Sequence, residues 1–133
     1  MKLLVDTSAL LALILRDDQN HARAAAFVRQ HPQNRYILSE LVLSELVTRV
    51  RARADAERAA AAGADLLRSQ RYQVVFVDRA LVEGGLALMR RFADKRLSLA
   101  DAVSFELMQR LGIGAAFSFD RDFRDCGFAM LPG

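Results

Sequence analysis

The chain has a single cysteine, Cys126, and two histidines, so neither an internal disulfide nor a Cys/His structural zinc site is open to it. Lysine is nearly absent too: of 19 basic residues only Lys2 and Lys95 are lysine. So strong an arginine bias fits genome composition as readily as phosphate recognition, and the arginines are scattered rather than clustered. The net charge of +3 is therefore only a hint of a polyanionic partner. No apolar run approaches the roughly 18 residues of a membrane span, and the stretch before Asp6 leaves no room for a secretory leader. A soluble, reduced, cytoplasmic setting with no membrane partner is the expectation. Repeats, low-complexity tracts and flexible linkers are also lacking. The 133 residues suit one domain, 1–133, which would bury about two-thirds of its unfolded surface.

What is present is an alternation of short apolar runs with helix-compatible segments. Lys2 to Val5 reads as a buried strand, followed by a helix over Ala9 to Leu15 with Thr7 or Ser8 as its cap. A helix from about Asn20 to Gln30 stops near Pro32, and Tyr36 to Leu38 is a strand. Ser39 caps a helix through about Arg53, and the alanine-rich Asp55 to Ser69 has strong helix propensity. Val74 to Val77 is the clearest buried strand; Asp78 caps a helix to about Ala93. Ser98 and Asp101 have capping-box spacing ahead of a helix ending near Gly112, with strands at Ala115 to Phe119 and Phe128 to Leu131. Strands separated by helices require parallel crossovers, which predicts a three-layer α/β/α fold on a mostly parallel sheet of about five short strands.

Against this frame stand lone carboxylates beside apolar runs, at points far apart in sequence. They are Asp6 in Val5-Asp6-Thr7-Ser8-Ala9-Leu10, Glu45 in Ser44-Glu45-Leu46, Asp101 in Leu97-Ser98-Leu99-Ala100-Asp101-Ala102, and Asp120 and Asp122 in Ser118-Phe119-Asp120-Arg121-Asp122-Phe123. Ionised carboxylates at the edge of a core are costly unless paired, hydrogen-bonded or bound to a cation, and several together repel until something positive lies between them. Open parallel sheets bind ligands at the carboxyl ends of their strands, where Asp6 and Asp120 fall. All four inner acids can converge there. Magnesium or manganese suits a shallow cluster of oxygen ligands, acidifying a water and aiming it at phosphorus. A second ion about 3.5 to 4 Å away would stabilise the leaving oxygen.

These motifs resemble the PIN-domain family, and in particular its small bacterial toxin branch, the VapC ribonucleases. The resemblance runs almost end to end. It matches the family's first three acids to Asp6, Glu45 and Asp101 and the fourth to Asp120, the inner residue directly after the strand, whereas Asp122 either points outward or contacts the metal through water. It implies a Mg2+-dependent (or Mn2+-dependent) endoribonuclease that leaves a 5′-phosphate and a 3′-hydroxyl. Ser118 stands where many relatives carry threonine, and by resemblance its hydroxyl orients a carboxylate or a water, as Thr7 or Ser8 does for Asp6. The implied partners are RNA, a second copy of the chain, and an antitoxin whose cationic side chain enters the acidic pocket.

Each acid has a plainer reading as well. Asp6 and Asp101 could simply cap helices and Asp120 or Asp122 could be turn residues. Glu45 resists this, flanked as it is by Val42, Leu43, Leu46 and Val47. Arg49, Arg51 and Arg53 are either a solvated helix end or a phosphate track leading into the acidic site. His21 and His31 read as solvent-facing, and Cys126 as packed or inert. A haloacid-dehalogenase-like phosphatase would carry a second Asp two residues after the first, where this chain has Ser8. The remaining alternative is a non-catalytic nucleic-acid-binding or assembly module on the same fold.

Overall fold

The computed structural model describes residues 1–133. In chain order the elements are β1 (Lys2–Val5), α1 (Thr7–Ile14), α2 (His21–Gln30), β2 (Arg35–Ser39), α3 (Glu40–Arg53), α4 (Ala56–Arg68), β3 (Tyr72–Val75), α5 (Arg79–Arg91), α6 (Leu99–Leu111), β4 (Ala115–Phe117), α7 (Asp122–Asp125) and β5 (Ala129–Leu131). The strands form one sheet in the order β3-β2-β1-β4-β5, and every neighbouring pair is parallel. The chain winds outward through β2 and β3, then crosses back to place β4 on the other side of β1. The switch point of the sheet therefore lies between β1 and β4.

Strand alternation divides the interior. Leu3, Val5, Tyr36, Leu38 and Phe117 face one layer, where they pack with Leu10, Leu11, Phe27, Val42, Leu46 and Leu66 from α1 to α4. Leu4, Ile37 and Ala116 face the other, against Leu81, Leu88, Phe105 and Met108 from α5 and α6 and Phe123 from α7. This is the expected α/β/α sandwich.

Side-chain caps start the longer helices: Ser39 accepts from the Val42 amide (3.4 Å) and Asp78 from Leu81 (2.8 Å) as anticipated, and Asp55, expected inside its helix, caps it by accepting from the Arg58 amide (2.7 Å). Gly112 ends α6 with φ 67°, a left-handed position that glycine fills without strain. Gly85 lets α5 lie close on α6, because a Cβ there would stand 2.8 Å from Val103 Cγ2.

Some expectations are corrected. The cap of α1 is Asp6 rather than Thr7 or Ser8, since its carboxylate accepts from the Ala9 amide. Val74 to Val77 is not the best-buried strand. β3 is an edge strand, half-buried, and ends at Val75; Phe76 is 64% exposed. The Val77 amide leaves the ladder to donate to Glu40 Oε1 at 2.8 Å. β4 stops at Phe117 because the Phe119 amide turns away to Ser8 Oγ (2.9 Å).

Candidate active site

Asp6 follows β1 directly, and its own amide still donates to Phe117 O at 3.3 Å, which fixes the residue at the switch point. Asp6 is 5% exposed. Oδ1 accepts from Ser8 Oγ at 2.7 Å and from the Ala9 amide at 3.3 Å. The same Ser8 hydroxyl oxygen accepts from the Phe119 amide, so one side chain ties the turn after β1 to the turn after β4. Burial pushes the Asp6 carboxyl from its ordinary 3.8 up to about 7, and Asp120 adds to the rise, while Ser8, the Ala9 amide and Ser118 oppose it. A carboxylate in that position gains from any cation brought near.

The other acids arrive from both helical layers. Glu45 is half-buried on α3. Asp101 sits in the first turn of α6 within a complete capping box: its amide donates to Ser98 Oγ (3.0 Å) and its Oδ2 accepts from the Ser98 amide (3.2 Å). Its carboxyl is raised, chiefly by burial, then by Asp120 and Glu45. Asp120 lies beyond β4, its amide bonded to the buried Ser118 hydroxyl (2.9 Å) and its Oδ1 accepting from the Asp122 amide (3.0 Å). Phe123 anchors the short α7 edge-on to Phe105 of α6, with ring centroids 4.8 Å apart, and this brings Asp122 toward Asp101. Oxygens of Asp101, Asp120 and Asp122 all lie within 4.8 Å of one another. Burial raises the Asp122 carboxyl too, and Asp120 and Asp125 add to it.

Asp6, Glu45, Asp101 and Asp120 line a cleft of about 250 Å3 together with Thr7, Ser8, Ser98, Arg49 and Arg96. No hydrophobic side chain lines it. Larger clefts, about 570 Å3 beside α2 and about 630 Å3 beside Arg16 and Arg58, have no such cluster. A lining of acidic, hydroxyl and arginine residues, with no His or Cys, fits a hard divalent cation and an anionic ligand.

A PIN domain family model matches residues 3–129. The chain belongs to the PIN domain family. This PIN domain is homologous to the 23S rRNA-specific endonuclease VapC20 of Mycobacterium tuberculosis, at 33% identity over 127 residues, covering 96% of this chain and 95% of that protein. The crystal structure of VapC20, described as a sarcin-ricin loop cleaving toxin, superposes with a TM-score of 0.89 at 31% identity, over 96% of each chain. VapBC2 of Rickettsia felis shares the fold at 12% identity, with a TM-score of 0.69 over 98% of this chain and 97% of that one. FitAcB of Neisseria gonorrhoeae does so at 18%, with a TM-score of 0.66 over 98% and 96%.

The PIN domain thus gathers Asp6, Glu45, Asp101, Asp120, Thr7 and Ser8 around one cleft, with Ser118 buried behind it. Of the proposed arginine track only Arg49 lines this cleft; Arg51 is exposed, and Arg53 borders a separate cleft with Arg16 and Arg58. Arg96 was missed by sequence reasoning, although it stands two residues before the cap of α6. His21 is half-buried rather than solvent-facing, its Nδ1 lying 2.7 Å from Ala12 O at the end of α1, while His31 is exposed. The Cys126 thiol is pushed up by burial and by Asp122, which keeps it protonated.

Proposed function

We propose that this PIN domain is a Mg2+-dependent endoribonuclease, the toxin of a toxin-antitoxin pair, that hydrolyses RNA phosphodiesters at the carboxylate cleft. The observation that carries the reading is the convergence of acids from the β1–α1 turn, α3, α6 and the β4–α7 turn on a cleft without a hydrophobic side chain. The relationship to a 23S rRNA endonuclease supports RNA, and 23S rRNA in particular, as the substrate.

In this reading Asp101, Asp120 and Asp122 hold one ion and Asp6 with Glu45 completes the acidic wall. When bound, magnesium or manganese supplies Lewis acidity, easing the deprotonation of water and offsetting charge on the phosphate. The chain's own groups fix where this happens. Ser8 holds the Asp6 carboxylate in one rotamer, the Ser98 amide orients Asp101, and Ser118 fixes the turn that presents Asp120. Burial of Asp6 keeps water from competing for its oxygens.

The test is incubation of a 23S rRNA transcript with the purified protein, with magnesium or with chelator. Cleavage should require the metal, leave 5′-phosphate and 3′-hydroxyl ends, and fall by about a hundredfold or more in Asp101→Asn, which keeps an oxygen for the Ser98 amide. Cleavage at the wild-type rate by Asp101→Asn, or in chelator, overturns the assignment. An intact, metal-binding protein that never cuts RNA is the outcome that supports a non-catalytic module. For the partners, the proposal is a homodimer silenced by an antitoxin that places arginine or lysine among the carboxylates. Such a cation relieves the mutual repulsion of the acids and blocks phosphate from entering. Neutralising Asp120 should therefore weaken the complex.

A further inference from the structure

Four carboxylates in one cleft repel the phosphates of the strand they are proposed to cut, and the cleft carries its own partial answer. Arg49 and Arg96 are the cations that line it. In a pocket of acids an arginine ordinarily folds onto a carboxylate, yet neither does so. The ion pairs of the chain involve Arg58, Arg68, Arg79, Lys95 and Arg110, none of which lines the cleft. Both arginines border the cleft as exposed side chains with no ion-pair or hydrogen-bond partner, presented from two different elements: Arg49 on α3, one turn beyond Glu45, and Arg96 on the segment leading into α6.

Their positions differ in a useful way. Arg96 lines the acidic cleft alone. Arg49 also borders a second, shallower groove of about 410 Å3 that runs between α3 and the start of α6, past Ser44, Thr48 and Leu99. The two depressions share Glu45, Arg49 and Ser98, so they form one continuous path with Arg49 at the junction.

We infer that Arg96 contacts the scissile phosphate and Arg49 the adjoining phosphate as the RNA strand passes from the acidic cleft into the neighbouring groove. This rests on the ribonuclease reading above. Guanidinium suits both tasks because it is always charged and offers a planar fork matched to phosphate oxygens. The division of labour follows from the chemistry. Charge grows on the scissile phosphate as the reaction proceeds, so its cation matters most in the transition state, whereas the adjoining phosphate does not change.

The experiment measures kcat, KM and the salt dependence of cleavage for wild type, Arg49→Ala, Arg49→Lys, Arg96→Ala and Arg96→Lys on the same 23S rRNA transcript, with thermal unfolding and magnesium titration alongside. Arg96→Ala should lower kcat by about ten- to a hundredfold. Arg49→Ala should raise KM by about tenfold with kcat kept, and flatten the slope of log affinity against log salt by about 0.7, one phosphate contact on a single strand. Lysine should restore most of the function at 49, where a point charge suffices, and less at 96, where the fork is needed. Unfolding and the magnesium midpoint should not move, because neither side chain is paired. Unchanged kcat, KM and salt slope in both alanine variants overturn the inference, as does a shifted magnesium midpoint with KM intact, which would place the arginines on the carboxylates. A wild-type protein that leaves RNA whole sinks the underlying reading instead, and that arm reports it separately.

Discussion

Replacing Asp6 with asparagine should stabilise the metal-free protein at alkaline pH and not at acid pH. The Asp6 carboxyl rises from 3.8 to about 7 on folding, chiefly through burial. A raised acid holds its proton more tightly folded than unfolded, so the fold is unaffected below the unfolded value and loses stability as pH climbs toward the folded one. Above that it stays low. About three pH units at ~1.4 kcal/mol each give a loss of about 4 kcal/mol between about pH 4 and about pH 7. Asparagine does not titrate, and its oxygen can still accept from Ser8 Oγ and the Ala9 amide, which Asp6 engages at 2.7 and 3.3 Å. Urea unfolding in chelator, followed by far-ultraviolet circular dichroism because the chain has no Trp, should show the variant ahead of wild type by up to about 4 kcal/mol at about pH 8 and level with it or behind at about pH 4. Asp101 and Asp122 are raised in the same direction and steepen both curves, so the difference between the proteins isolates Asp6. Parallel curves for the two proteins across this range would refute the claim that ionising Asp6 in its buried setting opposes folding.

Magnesium or manganese should raise the thermal midpoint at neutral pH, by the equivalent of about 2.7 kcal/mol at a hundredfold excess over Kd; no shift at millimolar ion counts against a preformed site. Ser8→Ala removes the group joining Asp6 to the Phe119 amide, which should cost about 1 to 3 kcal/mol in denaturant unfolding and move the Asp6 titration higher still. Gly85→Ala sets a Cβ 2.8 Å from Val103 Cγ2 and 3.3 Å from the Val103 nitrogen, so overpacking of about 1 to 3 kcal/mol should outweigh the gain in helix propensity. Unchanged or greater stability in that variant would show that α5 and α6 have room to separate.

The sequence disclosed those features that local chemistry dictates. Ser98 and Asp101 announce the start of α6 because a capping box is a reciprocal bond between neighbours, and Asp6 stands out because an acid directly after a buried strand is costly. Position in the sheet was less legible. Val74 to Val77 has the composition of a central strand, but edge placement depends on the order in which strands pair, which four consecutive residues do not encode. Asp122 was ambiguous between an outward and an inward role for a similar reason: its direction follows from Phe123 seating against Phe105, a contact across 18 residues of chain. Arg96 escaped notice because nothing in its neighbours distinguishes a cleft-lining arginine from a solvated one. The capping readings and the functional readings of Asp6 and Asp101 turned out not to compete, since the same carboxylates start helices and face the cleft.

The two helical layers meet at the switch point, and the acids are divided between them: Asp6 and Glu45 belong to the α1 and α3 side, Asp101 and Asp122 to the α6 and α7 side. The cleft is consequently a seam, and a cation seated in it would act as a rivet between layers that touch there through α3 and α6, over turns that the Ser8 hydroxyl ties together. Breathing of the seam disperses the ligands, so whatever stiffens the contact between layers also sharpens the grip on metal. The amide of Phe119, bonded between the turns that carry Asp6 and Asp120, is the natural gauge of that motion: its hydrogen exchange should slow when the rivet is in place and quicken when Ser8 is lost.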